Sequence, residues 1–201
     1  MSDGSPQVDF WRTRWREGRT PWDLGAASDP AKRLAERHLR APGAVFIPGC
    51  GRGHEAVYLA AQGHAVTAVD IVEEPIAELR QAAAARGLTI EALAQDLFAM
   101  PASRTGAFDA VLEQTCMAAI GPERFADYAA LLHRLLKPGG KLLGVWMEVA
   151  VKPPPFTCPP GVILKLFGAP LWTMEAFEPV LPHNPARPGP EYTVVFVKQD
   201  A

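Results

Sequence analysis

The stretch FIPGCGRGHE, residues 46–55, ends an apolar run at Pro48 and then carries glycine at every second position, Gly49, Gly51 and Gly53. Glycine after a buried strand lets the backbone approach a ligand closely, because no Cβ stands between them. The order here is G-x-G-x-G. A dinucleotide fingerprint is G-x-G-x-x-G; its third glycine packs helix against strand while the helix N-terminus faces a pyrophosphate. In this chain that third position is His54, too bulky for such packing, so the spacing argues against NAD(P) and a nicotinamide oxidoreductase. Asp70 closes the next apolar segment, AVTAVD, about 20 residues after the glycines, where a carboxylate accepts both hydroxyls of a ribose. In AQDLF, residues 94–98, Asp96 and neighbouring backbone groups suit an adenine edge, with Leu97 or Phe98 covering its face. Taken in order, these features describe a nucleoside site with no pyrophosphate to seat. S-adenosylmethionine, an adenosine bearing an amino-acid arm and a sulfonium, fits it.

These residues need elements to place them, and from Ala44 onward apolar segments of strand and helix type alternate. AVFI, AVTAVD (65–70), LTIEALA (88–94), FDAVLE (108–113) and KLLGVWM (141–147) read as strands. EAVYLAAQG reads as a helix closed by Gly63. EEPIAELRQAAAARG has acids and a proline at its start and Gly87 at its end, which is helix punctuation. Phe125, Tyr128, Ala129, Leu132 and Leu136 recur at helical spacing and predict an amphipathic helix ending before Pro138. Strands separated by helices at this interval imply a parallel sheet. The expected fold is α/β: a doubly wound, Rossmann-like, mostly parallel seven-stranded sheet with helices on both faces. The rhythm breaks at VKPPPFTCPPG (151–161), too proline-rich for a regular element. VILKLFG then predicts a short helix, and MEAFEPVL and YTVVFVK two strands joined by the loop 182–190 into a C-terminal antiparallel hairpin.

Ahead of this core, residues 1–43 carry three of the five tryptophans, in FWRTRWREGRTPWDLG. Trp11 and Trp15 lie four apart and share a face on a helix. TPWDLG reads as a turn, and a second helix is predicted from about Pro30 to His38. Three tryptophans with no strand or long helix to serve point to a lid. The chain is thus expected to be one domain of 201 residues, a helical lid over 1–43 and a Rossmann-like core over 44–201.

Bulk composition narrows the partners. The chain is 48% hydrophobic and 21% charged, with net charge −2 and a sequence pI near 6.2. That balance gives no electrostatic case for nucleic acid. No run of 18 or more apolar residues predicts a membrane span, and the polar start MSDGSPQVDF does not resemble a secretory signal. Cys50, Cys116 and Cys158 are far apart and odd in number, which fits reduced thiols in a cytoplasmic protein and no metal site. The five histidines, 38, 54, 64, 133 and 183, do not cluster, and no Ser-His-Asp set is present.

On FWRTRWREGRTPWDLG, VFIPGCGRGHEAVYLAAQGHAVTAVD and LLKPGGKLL, the chain resembles the class I S-adenosylmethionine-dependent methyltransferases. Within them it is similar to the thiopurine S-methyltransferase superfamily, which includes thiol and halide methyltransferases; the likeness covers residues 10 to about 147. That resemblance implies Trp11, Trp15 and Thr20 lining the cofactor and Trp22 on the substrate side. It implies Pro48, Gly49, Cys50 and Gly51 at the methionine arm, Asp70 and Ile71 at the ribose, and Asp96 and Leu97 at the adenine. Glu113 and Gln114 fall where the family contacts the methionine moiety and the substrate, as positioning candidates. Thiopurine-type members tend to carry Asp-Arg there; this chain has Glu-Gln, a neutral amide in place of a fixed cation.

The expected partner is a small soft nucleophile: a thiol or thiopurine-type sulfur, or alternatively a halide or a selenium or tellurium species. A protein or nucleic-acid acceptor would need an open groove. A non-catalytic adenosyl-binding protein on the same fold stays open, and the chain is expected to be a monomer. His54 either touches the methionine carboxylate or satisfies its helix start. Cys116 is read as a pocket-lining or core side chain, Met117 as a substrate-side wall or core, and Trp146 as core.

Overall fold

The computed structural model describes residues 6–199, so the polar start, residues 1–5, lies outside them. Two helices precede the core, α1 (Pro6–Arg16) and α2 (Asp29–His38). The core follows as β1 (Ala44–Pro48), α3 (His54–Ala61), β2 (Ala65–Asp70), α4 (Glu73–Ala84), β3 (Ile90–Ala94), β4 (Phe108–Gln114), α5 (Phe125–Leu135) and β5 (Leu136–Met147). α6 (Pro160–Leu166), β6 (Trp172–Pro179) and β7 (Glu191–Lys198) complete it. The seven strands form one sheet in the order β3-β2-β1-β4-β5-β7-β6. The first five are parallel, and β7 runs antiparallel between β5 and β6. The expected doubly wound fold with its closing hairpin is the one observed.

Local chemistry accounts for the elements. Ser28 caps α2, Pro30 sits in its first turn where no N–H is missed, and Ala31, Leu34 and Ala35 form its buried stripe. Alternation along the strands sends consecutive residues to opposite faces. Phe46, Val111, Leu142 and Trp146 join the core under α5 and α6, while Val45, Ile47, Leu112, Leu143 and Val145 join the core under α2, α3 and α4. The largest boundary difference from expectation is at β5, which begins at Leu136 and not at Lys141. Leu136 pairs with Phe108, the register then slips, and Lys141 pairs with Ala110, so Lys137–Gly140 arch out as a bulge that periodicity does not reveal.

The chain works outward from β1 to β3, then crosses back to place β4 on the other side of β1. A crevice opens at the carboxyl ends of strands where the order reverses in this way, and the glycine loop leaves β1 there. Gly53 is fixed by packing. Its φ is +71°, and a Cβ on it would lie 2.5 Å from the Leu79 side chain of α4. Gly53→Ala is therefore expected to lower stability by about 2 kcal/mol, from backbone strain and overpacking together. Urea unfolding checks this, with Gly51→Ala, whose added Cβ has no neighbour nearer than 3.6 Å, as the milder comparison.

Candidate active site

A cavity of about 550 Å³ occupies the crevice, within the roughly 300–1,000 Å³ typical of small-molecule sites. Its floor is the loop Pro48–Gly51 with Asp70 and Ile71; one side is Asp96, Leu97 and Phe98; the far end is Gln114, Thr115 and Cys116. Trp11, Trp15 and Trp22 close it from the N-terminal segment.

Asp70 organises the floor. One carboxylate oxygen accepts the Gly51 N–H at 2.9 Å and the other the Val72 N–H at 3.0 Å. Burial raises its pKa, and the backbone N–H groups of Val72, Gly51 and Ile71 offset part of that rise. The bareness of the glycine loop has two causes. A Cβ on Gly49 would meet Cys116 Sγ at 2.5 Å, so that glycine and Gly53 serve internal packing. Gly51 alone of the three would seat a Cβ without overlap, in ordinary contact with the Trp15 ring at 3.6 Å, and its φ of +52° is what calls for glycine there. Asp96 caps its own turn, its carboxylate accepting the Phe98 N–H at 2.9 Å.

The tryptophans of this wall form an edge-to-face aromatic cluster: Trp22 lies 5.3 Å from Trp11 and 5.8 Å from Trp15, centroid to centroid. A knot of charge ties it to the core. Asp23 pairs with Arg52 and with His54 Nε2, the latter at 2.9 Å, and Arg52 continues to Glu78 at 2.5 Å. Burial would raise the Asp23 pKa, but hydrogen bonds from Gly25 N–H, Arg52 and His54 outweigh it and hold the carboxyl low. The Arg52 guanidinium also lies over the Trp15 ring at 4.8 Å. His54 is thus spoken for by the lid. From the C-terminal side, buried Arg187 donates to the Trp22 carbonyl at 3.0 Å and pairs with buried Glu191 at 3.1 Å. Arg52→Ala is expected to shift the tryptophan emission of the free protein to the red. The unfolding temperature should change by no more than about 3 °C, the effect of one partly exposed ion-pair knot in a chain of this size.

At the far end Glu113 is fully buried, and one of its oxygens accepts the Met117 N–H at 2.6 Å and the Tyr128 hydroxyl at 3.1 Å. It thereby holds the reversal after β4, where Thr115 has φ +56°, a conformation costly for a β-branched residue. Burial lifts the Glu113 carboxyl to about 8 despite the hydrogen bonds it accepts. Burial also pushes the Cys50 and Cys116 thiols well up, so neither is a thiolate nucleophile.

The cavity brings together Trp11, Trp15, Trp22, Pro48, Gly49, Cys50, Gly51, Asp70, Ile71, Asp96, Leu97 and Gln114 of the predicted set. Thr20, Glu113 and Met117 are not in its wall: Thr20 is half-buried beside the lid, and Glu113 and Met117 are buried behind the far end. Glu113 and Gln114 are neighbours on one strand, so only one of them faces the crevice, a signal present in the sequence. Asp23, Ser28, Arg52 and Arg187 also line the cavity and were not foreseen as site residues; Arg187 sits in a proline-rich loop with no periodicity to mark it. Pro154 and Pro155 come from the irregular segment after β5.

A thiopurine S-methyltransferase family model matches residues 6–187. The chain is 31% identical over 138 residues to thiocyanate methyltransferase 1 of Brassica oleracea, covering 66% of this chain and 59% of that protein. It is 31% identical over 185 residues to a thiopurine S-methyltransferase of Xanthobacter autotrophicus, covering 81% and 84%. The match spans 59–65% of the length of three plant thiocyanate and thiol methyltransferases. In structure it is similar to the Burkholderia thailandensis 1,6-didemethyltoxoflavin-N1-methyltransferase, solved with 1,6-didemethyltoxoflavin and S-adenosylhomocysteine bound. There the TM-score is 0.80 and the identity 25%, over 100% of this chain and 93% of that one. With its seven-stranded fold and a cavity walled by the glycine loop, Asp70 and three tryptophans, the chain belongs to the thiopurine S-methyltransferase family, a family of S-adenosylmethionine-dependent methyltransferases.

Proposed function

We propose that this chain transfers a methyl group from S-adenosylmethionine to a small soft nucleophile, in the first place a sulfur of the thiol or thiopurine type. The observation that carries this reading is one cavity joining Gly51 and Asp70 to Gln114 and Trp22 beneath the tryptophan lid. Family membership and relatives named for thiocyanate, thiol and thiopurine methylation support it. When bound, S-adenosylmethionine supplies a methyl already activated by its sulfonium. Asp70 would take the ribose hydroxyls, the backbone at Gly51 the methionine arm, and Asp96 and Leu97 the adenine edge. Trp11 and Trp15 would exclude water, and the far end would align the acceptor with the methyl.

A thiol of ordinary pKa, about 8.5, is partly ionised near neutrality and needs little help from a base. This suits walls in which His54 is held by Asp23 and the cysteines stay protonated. Halide, selenium or tellurium methylation is the second reading: Gln114 is a neutral amide where thiopurine-type members tend to carry a guanidinium, so the cation that would pair with a purine substrate is missing. The chain would work as a monomer on small molecules, with neither nucleic acid nor membrane as partner. No helix among the described residues is long and apolar enough to cross a membrane. The test is transfer of radiolabelled methyl from S-adenosylmethionine to thiocyanate, a small thiol, a thiopurine and iodide. Transfer to a sulfur acceptor is the expected result. Cofactor binding with no transfer to any of them would leave a non-catalytic adenosyl-binding protein.

A further inference from the structure

The stretch LLKPGGKLL, which the crevice does not use, walls a second cavity of about 320 Å³ at the opposite, amino-terminal ends of β1, β4 and β5. Separate segments of the chain meet there: the end of α2 with Arg40, Gly43 ahead of β1, His64 ahead of β2, Asp109 in β4 and the bulge of β5 with Lys137 and Lys141. The bulge lies tight against β4, because a Cβ on Gly140 would stand 2.8 Å from the Lys137 carbonyl oxygen and 3.2 Å from that of Asp109.

His64 decides the chemistry of this cavity. It is 6% exposed, and its Nδ1 accepts the Gly43 N–H at 3.2 Å. A ring nitrogen that accepts carries no proton, so the neutral imidazole holds its proton on Nε2. Among the described residues Nε2 has no partner, and it is not sealed from solvent. On the wall of this cavity it is a donor that lacks an acceptor. Cations surround it. Arg40 is exposed and pairs with no carboxylate among the described residues. Lys137 donates to Asp109 Oδ1 at 2.6 Å and Lys141 to Glu175 at 2.8 Å, and each ammonium keeps further N–H donors for a ligand. Asp109 is the one acid of the wall, and its other oxygen is taken by the Ala44 N–H at 2.8 Å. His38 adds no charge: burial, and then the nearby Lys141, hold its pKa below the ordinary value.

We propose that this cavity is a second binding site, for the phosphate group of a small molecule, with Arg40 and the His64 Nε2–H as its specific donors and Lys137 and Lys141 at its rim. A guanidinium presents a planar fork of N–H donors, and the imidazole adds one from another segment. A tetrahedral oxyanion with several acceptor oxygens uses such a set more fully than a carboxylate does. Leu39, Val45 and Pro138 give the rest of the wall an apolar surface, room for the small body that carries the phosphate. The site is independent of the methyl-transfer reading.

The test follows the imidazole signals of the full chain in long-range proton–nitrogen spectra, with sodium chloride holding ionic strength constant. The His64 signal is the one absent from His64→Asn, whose amide oxygen can still accept the Gly43 N–H. Inorganic phosphate and ribose 5-phosphate should each move that signal saturably, and acetate much less. Arg40→Ala, an exposed substitution, should bind phosphate about tenfold more weakly, the worth of one charge-assisted hydrogen bond, with the unfolding temperature in phosphate-free buffer unchanged. Tighter binding of ribose 5-phosphate than of inorganic phosphate would support a site for a sugar phosphate; equal binding would support a site for the anion alone. If His64→Asn does not fold, calorimetric titration of wild type and Arg40→Ala with inorganic phosphate decides the matter. A His64 signal that phosphate leaves in place, or an equal response to acetate, overturns the proposal. So does a phosphate affinity in Arg40→Ala within about twofold of wild type, far less than a lost charged hydrogen bond.

Discussion

Asp70→Ala should bind S-adenosylhomocysteine about 100-fold more weakly than wild type, a loss of roughly 3 kcal/mol from charge-assisted hydrogen bonds to the ribose diol. The side chain sits at the end of β2 with one oxygen on the Gly51 N–H and the other on the Val72 N–H. Each carboxylate oxygen keeps a second lone pair for a ligand. Removing it also frees the loop at Gly51, whose N–H it holds. Asp70→Asn keeps one acceptor oxygen and should lose only about tenfold. Calorimetric titration of the three proteins checks the order, and affinities within threefold of one another would remove Asp70 from the site.

Glu113→Gln should flatten the dependence of stability on pH between about 5 and 8. The folded carboxyl titrates at about 8 against an ordinary 4.5. Below the lower value both folded and unfolded chains hold the proton and nothing changes. Between the two values the unfolded chain releases it while the folded chain retains it, so wild-type stability falls as pH rises through that window. The loss has an upper limit of about 1.4 kcal/mol per pH unit and totals on the order of 4 kcal/mol. Glutamine mimics the protonated acid in size and can still accept the Met117 N–H and the Tyr128 hydroxyl at one oxygen. The lowered values of His38 and His133 act in the same window, with stability rising with pH through them, but they are common to both proteins. The difference between the two urea-unfolding series, taken from pH 5 to pH 8, therefore isolates Glu113. Parallel series would contradict the assignment.

Periodicity carried most of the fold: the alternating strands, the stripes of α2 and α5 and the glycine stops all depend on neighbours within one turn or one strand. What it missed depends on distant neighbours. The start of β5 is hidden because Lys137–Gly140 bulge at a register slip against β4. Gly49 and Gly53 read as room for a ligand, yet Cys116 and Leu79, far along the chain, are what they make room for. Asp70 was legible because strand end, glycine loop and spacing agree on it. Arg187 was not, since it comes from a loop with no period and reaches Trp22 from the other end of the chain. Met117 followed the pattern of a flexible apolar wall, but its N–H is held by Glu113 and its side chain is fully buried in the core.

The claim on which the rest depends is that the crevice holds an adenosyl amino acid beneath the tryptophan lid. The measurement that tests it is calorimetric titration of the full chain with S-adenosylhomocysteine, S-adenosylmethionine and NADH, following tryptophan emission in parallel. Micromolar binding of both adenosyl ligands with a change in emission, and no binding of NADH, is the predicted result. Binding of NADH, or no binding of either adenosyl ligand, would contradict it.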